Sequence, residues 1–397
     1  MEALVNILVE CPELIASVRV GVLEPLSYLE STGKCKVTFK RTIDITKKDI
    51  QWCDILVIVR GYEYVTLEIV KAAKNAGRFI IYFLDDDLLH IPEYLPSGEI
   101  LQNEEVKQTL ISIINNSNLL WCVNPRIGEI YSQYCNGKWI LGKVPIKTDS
   151  IIEKIKNFNK VKILYAGSSD HSNTVQKYIT PAVLKICNEY GSKVEFTFIG
   201  VNPKLPGLNN VKYIKYINDY NEYKDIVQNG NFDIGIAIIL EEDFYQAKYY
   251  NKFIEYTSIG AVGIYTNNKP YTVIVEDKKN GFLCDNESWY KTIKEVIDDN
   301  KLRKICYDNA NKLLEEKYSY RAVGEELEKS IPELVNYHAD KTKKVILFNS
   351  RFGFYKQRII TIWEKHKVLF LLIIFIKVIK IIFRKIEVLL RNIGRNI

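Results

Sequence analysis

The stretch Phe244-Tyr-Gln-Ala-Lys248-Tyr-Tyr-Asn-Lys252-Phe-Ile-Glu255-Tyr256-Thr-Ser-Ile-Gly260-Ala-Val-Gly263-Ile-Tyr265 decides how the chain is read. A helix over it places Lys248, Lys252 and Glu255 at i, i+4 and i+7, so that all three project from one face. Two cations and one acceptor in a row suit a nucleoside diphosphate, the ammonium groups for the phosphates and the carboxylate for ribose hydroxyls. Gly260-Ala-Val-Gly263 ends the helix, and Ile264-Tyr265-Thr266 reads as the short buried strand that follows. The competing reading is an amphipathic helix whose lysines are solvated.

Outward from this stretch the chain alternates strand and helix. Strands are expected near Lys162–Tyr165, Glu195–Ile199, Val211–Ile214, Ile234–Ala237 and Gly263–Tyr265, with a clear helix at Thr180–Glu189 and closing helices at Trp289–Asp298 and Leu302–Lys317. An earlier series has strands near Asn6–Val9, Val37–Phe39, Ile55–Val59, Phe79–Phe83 and Leu119–Cys122, and helices at Pro25–Glu30, Thr66–Asn75 and Glu104–Asn115. Near-continuous apolar strands in such alternation argue for parallel sheets covered on both faces. The expectation is an α/β chain of two doubly wound, Rossmann-like domains facing a cleft: residues 1–145, a polar linker at 146–160, and residues 161–335. Ligands in such folds sit beyond the carboxyl ends of the strands. Neither Gly-x-Gly-x-x-Gly nor a Walker sequence occurs, which argues against a dinucleotide or P-loop site of the usual kind.

Composition narrows the class. The chain has 397 residues, 47% of them hydrophobic, enough for two cores and an appendage. Eight scattered cysteines, at 11, 35, 53, 122, 135, 187, 284 and 306, form no Cys-x-x-Cys pair and read as buried thiols in a reducing compartment. The N-terminus lacks the features of a secretory leader, and a cytoplasmic location is expected. Residues 341–397 carry 14 Lys/Arg against two acids, whereas the rest of the chain carries 41 basic and 46 acidic residues. Basicity confined to the tail removes the main support for nucleic-acid binding by the folded body. Within that tail Val368–Ile376 is apolar all round but is interrupted by Lys377 and Lys380 before it reaches the ~20 residues of a bilayer span. Lys377, Lys380, Arg384, Arg391 and Arg395 then oppose Phe375, Ile379, Ile382, Ile386 and Leu390 on a helical projection. This is the pattern of a helix lying in an anionic membrane surface, and it suggests peripheral attachment to the inner face of the cell membrane. A short spanning segment and a helix docked on the protein's own core are the competing readings.

Asn251-Lys-Phe-Ile-Glu-Tyr256, then Gly260, Pro270-Tyr271 and Asn280-Gly-Phe-Leu283, resemble the donor-binding segment of GT-B glycosyltransferases, especially the family 4-like enzymes of bacterial surface polysaccharide and O-antigen synthesis. The resemblance covers roughly residues 5–325 and is strongest from Lys162 to Lys317. It implies that Glu255 holds the donor ribose and that Lys248 and Lys252 hold the pyrophosphate, with Tyr256 in the same donor site. The family's commoner form has a further glutamate where this chain has Ala247; a branch with Phe-x-x-x-Lys in its place matches Phe244 and Lys248.

Ala166-Gly-Ser-Ser-Asp-His171 follows the first strand of the second series, where a Gly-Ser turn can present backbone N–H groups to a phosphate. A similar Gly-Ser-x-x-His in the resembling branch implies that Gly167, Ser168 and His171 face the cleft. Asp85-Asp86-Asp87 follows the strand Phe79–Phe83. Adjacent side chains on an extended backbone point in alternate directions, so the three do not readily share one metal ion. One or two of them are expected to face the acceptor hydroxyl or the donor sugar, one as a catalytic base, and another to cap the following helix. Arg19 and Arg60 are expected in the loops after the first and third strands. Related transferases carry arginines there, which implies contact with a phosphate or a pyrophosphate-linked acceptor. The resemblance thus implies a glycosyltransferase, hexosyl or deoxyhexosyl, moving a sugar from a nucleoside diphosphate to a lipid-linked or glycan acceptor, with no metal or other cofactor. An epimerase of the same fold and an inactive membrane-bound scaffold are the alternatives.

Overall fold

The computed structural model describes residues 4–95, 98–146, 160–240 and 242–347. β1 (Val5–Cys11), β2 (Cys35–Arg41), β3 (Ile55–Val59), β4 (Phe79–Leu84), β5 (Leu119–Cys122) and β6 (Trp139–Leu141) form one sheet in the order β2-β1-β3-β4-β5-β6. β7 (Val161–Ala166), β8 (Val194–Ile199), β9 (Val211–Ile214), β10 (Ile234–Ala237), β11 (Val262–Thr266) and β12 (Phe282–Cys284) form a second, in the order β12-β11-β10-β7-β8-β9. Every pairing is parallel. The two doubly wound α/β units expected from the strand pattern are therefore present.

The central strands explain the pattern. All five residues of β3 and of β11 are buried, because helices cover both faces of each sheet and no side of the strand meets water. Edge strand β9 shows the opposite, with none of its four residues buried. β6 and β12 have only three residues each, too few to show a period, and escape a reading by alternation. All eight cysteines are buried free thiols, as their scatter implies.

The closing helices return to the first sheet. Ile146 N donates to Tyr318 O at 2.7 Å where the chain passes between the units. Beyond that crossing, the helix Tyr320–Ser330 packs on the helix Glu24–Ser31. Gly324 makes this possible, since a Cβ there would lie 2.4 Å from the Tyr28 ring. The span 161–335 assigned to the second unit thus ends against the first. The first residues of the basic tail follow it there. Lys341 Nζ meets Asp54 Oδ1 at 2.7 Å, and Val345 and Leu347 are buried. The interfacial-helix reading concerns Val368 to Arg395, which lie outside the described residues, as does most of the 146–160 linker.

Each sheet reverses its winding once, between β1 and β3 in the first and between β7 and β10 in the second. A reversal leaves a crevice at the carboxyl end of the strands, because successive crossovers leave on opposite faces.

One strand residue stands out energetically. Glu10 on β1 is fully buried; Thr42 and Thr66 hydroxyls both donate to Oε1, and Oε2 has no partner among the described residues. Burial raises its carboxyl from 4.5 to about 7, against the pull of the two hydroxyls. A folded-state value above the unfolded one means that the carboxyl adds no penalty below pH 4.5 and its full penalty above pH 7, roughly 3 kcal/mol. Glu10→Gln is expected to raise the thermal midpoint clearly at pH 8 and much less at pH 5, read by thermal unfolding at both values; an equal gain at both would contradict the assignment.

Candidate functional site

The expected helix through residue 244 to residue 258 is broken. It forms two pieces, Asp243–Gln246 and Asn251–Ser258, separated by Ala247–Tyr250. Lys252 and Glu255 keep their helical spacing, but Lys248 leaves their face and belongs to the break. Tyr249 and Tyr250 are buried there with ring centroids 4.2 Å apart, and their burial in the core shared by the two units outweighs the local helical pattern. The second piece ends as read. Gly260 has φ +79°, and the amides of Gly260 and Ala261 return to Thr257 O and Tyr256 O.

On the second piece Lys252 and Glu255 form an ion pair, and Tyr223 bridges them. Lys252 Nζ donates to Tyr223 Oη at 3.0 Å, and that hydroxyl donates to Glu255 Oε1. Burial opposes the charge on Lys252, but Glu255 and Tyr223 outweigh it and hold the ammonium well above its ordinary value. Tyr256 is placed otherwise than expected. Its side chain is fully buried, its hydroxyl donates to Ile236 O at 2.7 Å, and a Cβ on Gly235 would collide with its ring. It lies beneath the site and presents nothing to a ligand.

Lys248 Nζ stands 4.7 Å from the Phe244 ring centroid and reaches across the cleft to Asp86 Oδ1 at 2.9 Å. Asp86 also receives Arg60 Nη2 at 2.9 Å, and Arg60 Nε lies 3.4 Å from Asp85 Oδ1. Arg60 follows β3 with φ +54°, anchored through its amide to Phe83 O and through Nη1 to Ser17 Oγ at 3.2 Å. The two carboxyls divide. Burial, with Asp86 beside it, pushes Asp85 up despite Arg60. For Asp86, Lys248 and Arg60 outweigh burial and hold it down. Asp85 Oδ1 accepts no hydrogen bond from the described residues.

Asp87 has a different office from the one expected. It caps no helix. Its buried carboxylate accepts from Tyr131 Oη at 2.8 Å and meets His90 Nδ1 at 2.9 Å, which fixes the loop after β4. Arg19 lies in a helical turn, Arg19–Leu23, rather than in a loop; it is exposed and has no ion pair among the described residues.

Gly167 follows β7, but its amide is taken by Ile199 O at 3.1 Å and is not left for a phosphate. Ser168 Oγ meets Asp170 Oδ2 at 3.1 Å. His171 lies against Tyr245, with ring centroids 5.7 Å apart, and its Nδ1 is buried without a partner among the described residues. Burial and the nearby ammonium groups of Lys248 and Lys252 push His171 down to about 4. The site therefore joins His171, Lys248, Lys252 and Glu255, beyond β7 and β10, to Arg60, Asp85 and Asp86, beyond β3 and β4.

Sequence reasoning missed Tyr223 and the residues of the first unit that grip the 242–250 segment. Tyr94 Oη donates to Glu242 Oε2 at 2.8 Å, Arg126 Nη2 meets Asp243 Oδ1 at 2.9 Å, and Asn124 Nδ2 donates to Gln246 O and Lys248 O. Asn124-Pro125 reads in sequence only as a helix start, and nothing local announces a contact more than a hundred residues away.

No protein-family model and no curated protein sequence matches the chain. Solved structures do. The Anabaena protein HepE in complex with UDP and glucose aligns with a TM-score of 0.60 at 11% identity, covering 84% of this chain and all of that one. An alpha-glucosyltransferase in complex with UDP and a 13-mer DNA aligns at 0.59 with 12% identity over 83% of this chain. A glycosyltransferase from Rickettsia africae gives 0.56 at 13% identity, with 84% of this chain covered. The fold is GT-B. The 242–250 segment of the β7–β12 unit meets the β1–β6 unit through Tyr94, Asn124 and Arg126.

A neutral His171 is a consequence that can be measured. Its folded value lies below the ordinary 6.5, so this group's contribution to stability is complete above that pH and is lost as pH falls towards 4. The His171 ring resonance, assigned by its disappearance in His171→Phe, is expected to stay at its neutral position from pH 8 to pH 5.5. A midpoint near 6.5 would contradict the burial.

Proposed function

We propose that this chain is a glycosyltransferase of the family 4-like type, taking a sugar from a nucleoside diphosphate and passing it to a membrane-associated glycan or lipid-linked acceptor in surface polysaccharide synthesis. The observation that carries the reading is the placement of Lys248, Lys252 and the Tyr223–Glu255 pair at the winding reversal of the second sheet, opposite Arg60, Asp85 and Asp86. Lys248 and Lys252 take the diphosphate, and Glu255, fixed by Tyr223, takes the ribose hydroxyls. In transfer, the bond from the anomeric carbon to the diphosphate breaks and the acceptor oxygen forms the new one. Negative charge grows on the leaving diphosphate, where fixed ammonium groups stabilise it most. Asp85, whose carboxyl is held above its ordinary value and whose Oδ1 accepts no hydrogen bond among the described residues, is suited to take the acceptor proton. Arg19, exposed and without an ion pair among the described residues, and Arg60 suit an anionic acceptor group.

UDP or UDP-sugar bound in the structural neighbours supports the donor class. The scaffold alternative draws on one feature, Ala247, which is fully buried and offers no carboxylate where the commoner form of the family has one. Turnover decides between them.

The experiment is a thermal-shift screen against UDP, GDP, TDP and CMP and their common sugar conjugates, since a ligand that binds only the folded state raises its midpoint. One diphosphate is expected to raise it, and Lys252→Ala and Glu255→Ala are each expected to abolish that rise while leaving the ligand-free midpoint within about 2 °C, as for partly exposed ion pairs. No rise with any of them would move the scaffold reading ahead.

Membrane attachment is proposed from the opposed basic and apolar faces between Phe375 and Arg395. Removing residues 348–397 is expected to shift the protein from the membrane fraction to the supernatant with nucleotide binding intact. Retention in the membrane fraction would overturn the attachment. Cutting at 341 instead would also remove Lys341, Val345 and Leu347 from the first unit and is expected to lower the thermal midpoint.

A further inference from the structure

The side chain of Asn124 makes three hydrogen bonds, and two of them join the two halves of the molecule. It lies just beyond β5 with 4% of its surface exposed. Its Oδ1 accepts from Arg126 N at 2.8 Å and caps the helix Pro125–Tyr131. Its Nδ2 donates to Gln246 O at 3.0 Å and to Lys248 O at 2.7 Å in the other unit. The orientation of the amide is not free, because one partner is an N–H and the other two are carbonyls.

The two carbonyls are informative. In a continuous helix over this stretch, Gln246 O would accept from the amide of Tyr250 and Lys248 O from the amide of Lys252, four residues on. Asn124 takes both carbonyls, and the helix breaks between Gln246 and Asn251. The break moves Lys248 off the face it would share with Lys252. Its ammonium then reaches Asp86 rather than running up the helix. Arg126 with Asp243 and Tyr94 with Glu242 hold the start of the same segment, so the register of the break is fixed at both ends.

We propose that Asn124, a residue of the first unit, is a positioning residue of the donor site: by holding the carbonyls of residues 246 and 248 it breaks the helix and delivers Lys248 to the diphosphate. The donor site is then complete only while the first unit grips the second, although Asn124 itself touches no donor atom. This rests on the reading of Lys248 as a diphosphate ligand.

Asn124→Asp separates the two roles of the side chain. Aspartate caps a helix as well as asparagine does, so the Pro125–Tyr131 helix is retained, but it has no N–H for the two carbonyls. Asn124→Ser also caps and is too short to reach. Two measurements on the full chain follow. The first uses no ligand: the rate of amine labelling at Lys248, read by mass spectrometry, is expected to rise at least threefold in both variants, with Lys252 unchanged. The second is calorimetric titration with the diphosphate that the thermal-shift screen selects among UDP, GDP and TDP. Both variants are expected to weaken binding at least tenfold, and combining Asn124→Asp with Lys248→Ala is expected to bind no more weakly than Lys248→Ala alone. A residue with a merely structural role would give additive losses. Unchanged labelling, unchanged affinity or additive losses would each overturn the proposal. If labelling rises but no diphosphate binds the unsubstituted chain, Asn124 holds Lys248 as described and the donor reading is what falls.

Discussion

The arrangement depends on the contact between Lys248 and Asp86 across the cleft, and that contact depends on sheet winding. Parallel strands joined by crossovers place all their carboxyl ends on one edge, and a reversal of winding opens a crevice there. Asp86 follows β4 and Lys248 follows β10, so each comes from the functional edge of its own sheet. A 2.9 Å ion pair between them requires the two edges to face each other. The return of the C-terminal helices to the first sheet keeps them so. With Tyr320–Ser330 packed on Glu24–Ser31 and Lys341 tied to Asp54, the C-terminal end of the second unit is fastened back onto the first.

Which parts of this were legible in sequence follows from how local their causes are. β3, β5 and β10 take the bounds that apolar runs between turn signals give them, because a strand covered on both faces must be apolar throughout and the run ends where the covering ends. The end of the helix at Gly260 was legible for the same reason: a left-handed residue after an apolar helix has a local signature. The break at Ala247–Tyr250 was not. Its cause is an amide some 120 positions away, taking carbonyls that the local sequence would give to its own helix. Tyr256 illustrates another limit, since helical spacing beside Glu255 says nothing of which flank of the helix meets the sheet. The neighbour it packs on, Gly235, lies on β10, some twenty residues earlier in the chain.

The three consecutive aspartates show how one sequence feature divides into separate tasks. Alternation along the backbone turns Asp87 back into the first unit, where Tyr131 and His90 satisfy it and anchor the loop. That anchoring sets Asp85 and Asp86 where Arg60 can meet both. Asp86 receives a second cation from the other unit, and Asp85 receives none directly. The same guanidinium therefore leaves one carboxyl lowered and its neighbour raised, a division of neighbouring carboxyls by environment rather than by type.

Charge balance explains why the cations of the site are already paired. Lys248, Lys252 and Arg60 brought together in a partly desolvated cleft would repel one another and bear the cost of lost hydration. Asp86 and Glu255 relieve that cost when no ligand is bound, each fixed by further hydrogen bonds that set the direction of the ammonium it holds. On the proposed donor reading, a diphosphate entering the cleft would meet cations already aimed but would compete with Asp86 for Lys248. Glu255 is in a different position, because its tie to Lys252 runs within one helix turn and would survive while its other acceptor sites served the ribose hydroxyls of the proposed donor. The two lysines are therefore not equivalent. Lys252 pairs within the second unit alone, whereas Lys248 pairs with a carboxylate of the first, so on the proposed donor reading a diphosphate that takes Lys248 would link its own binding to the contact between the domains.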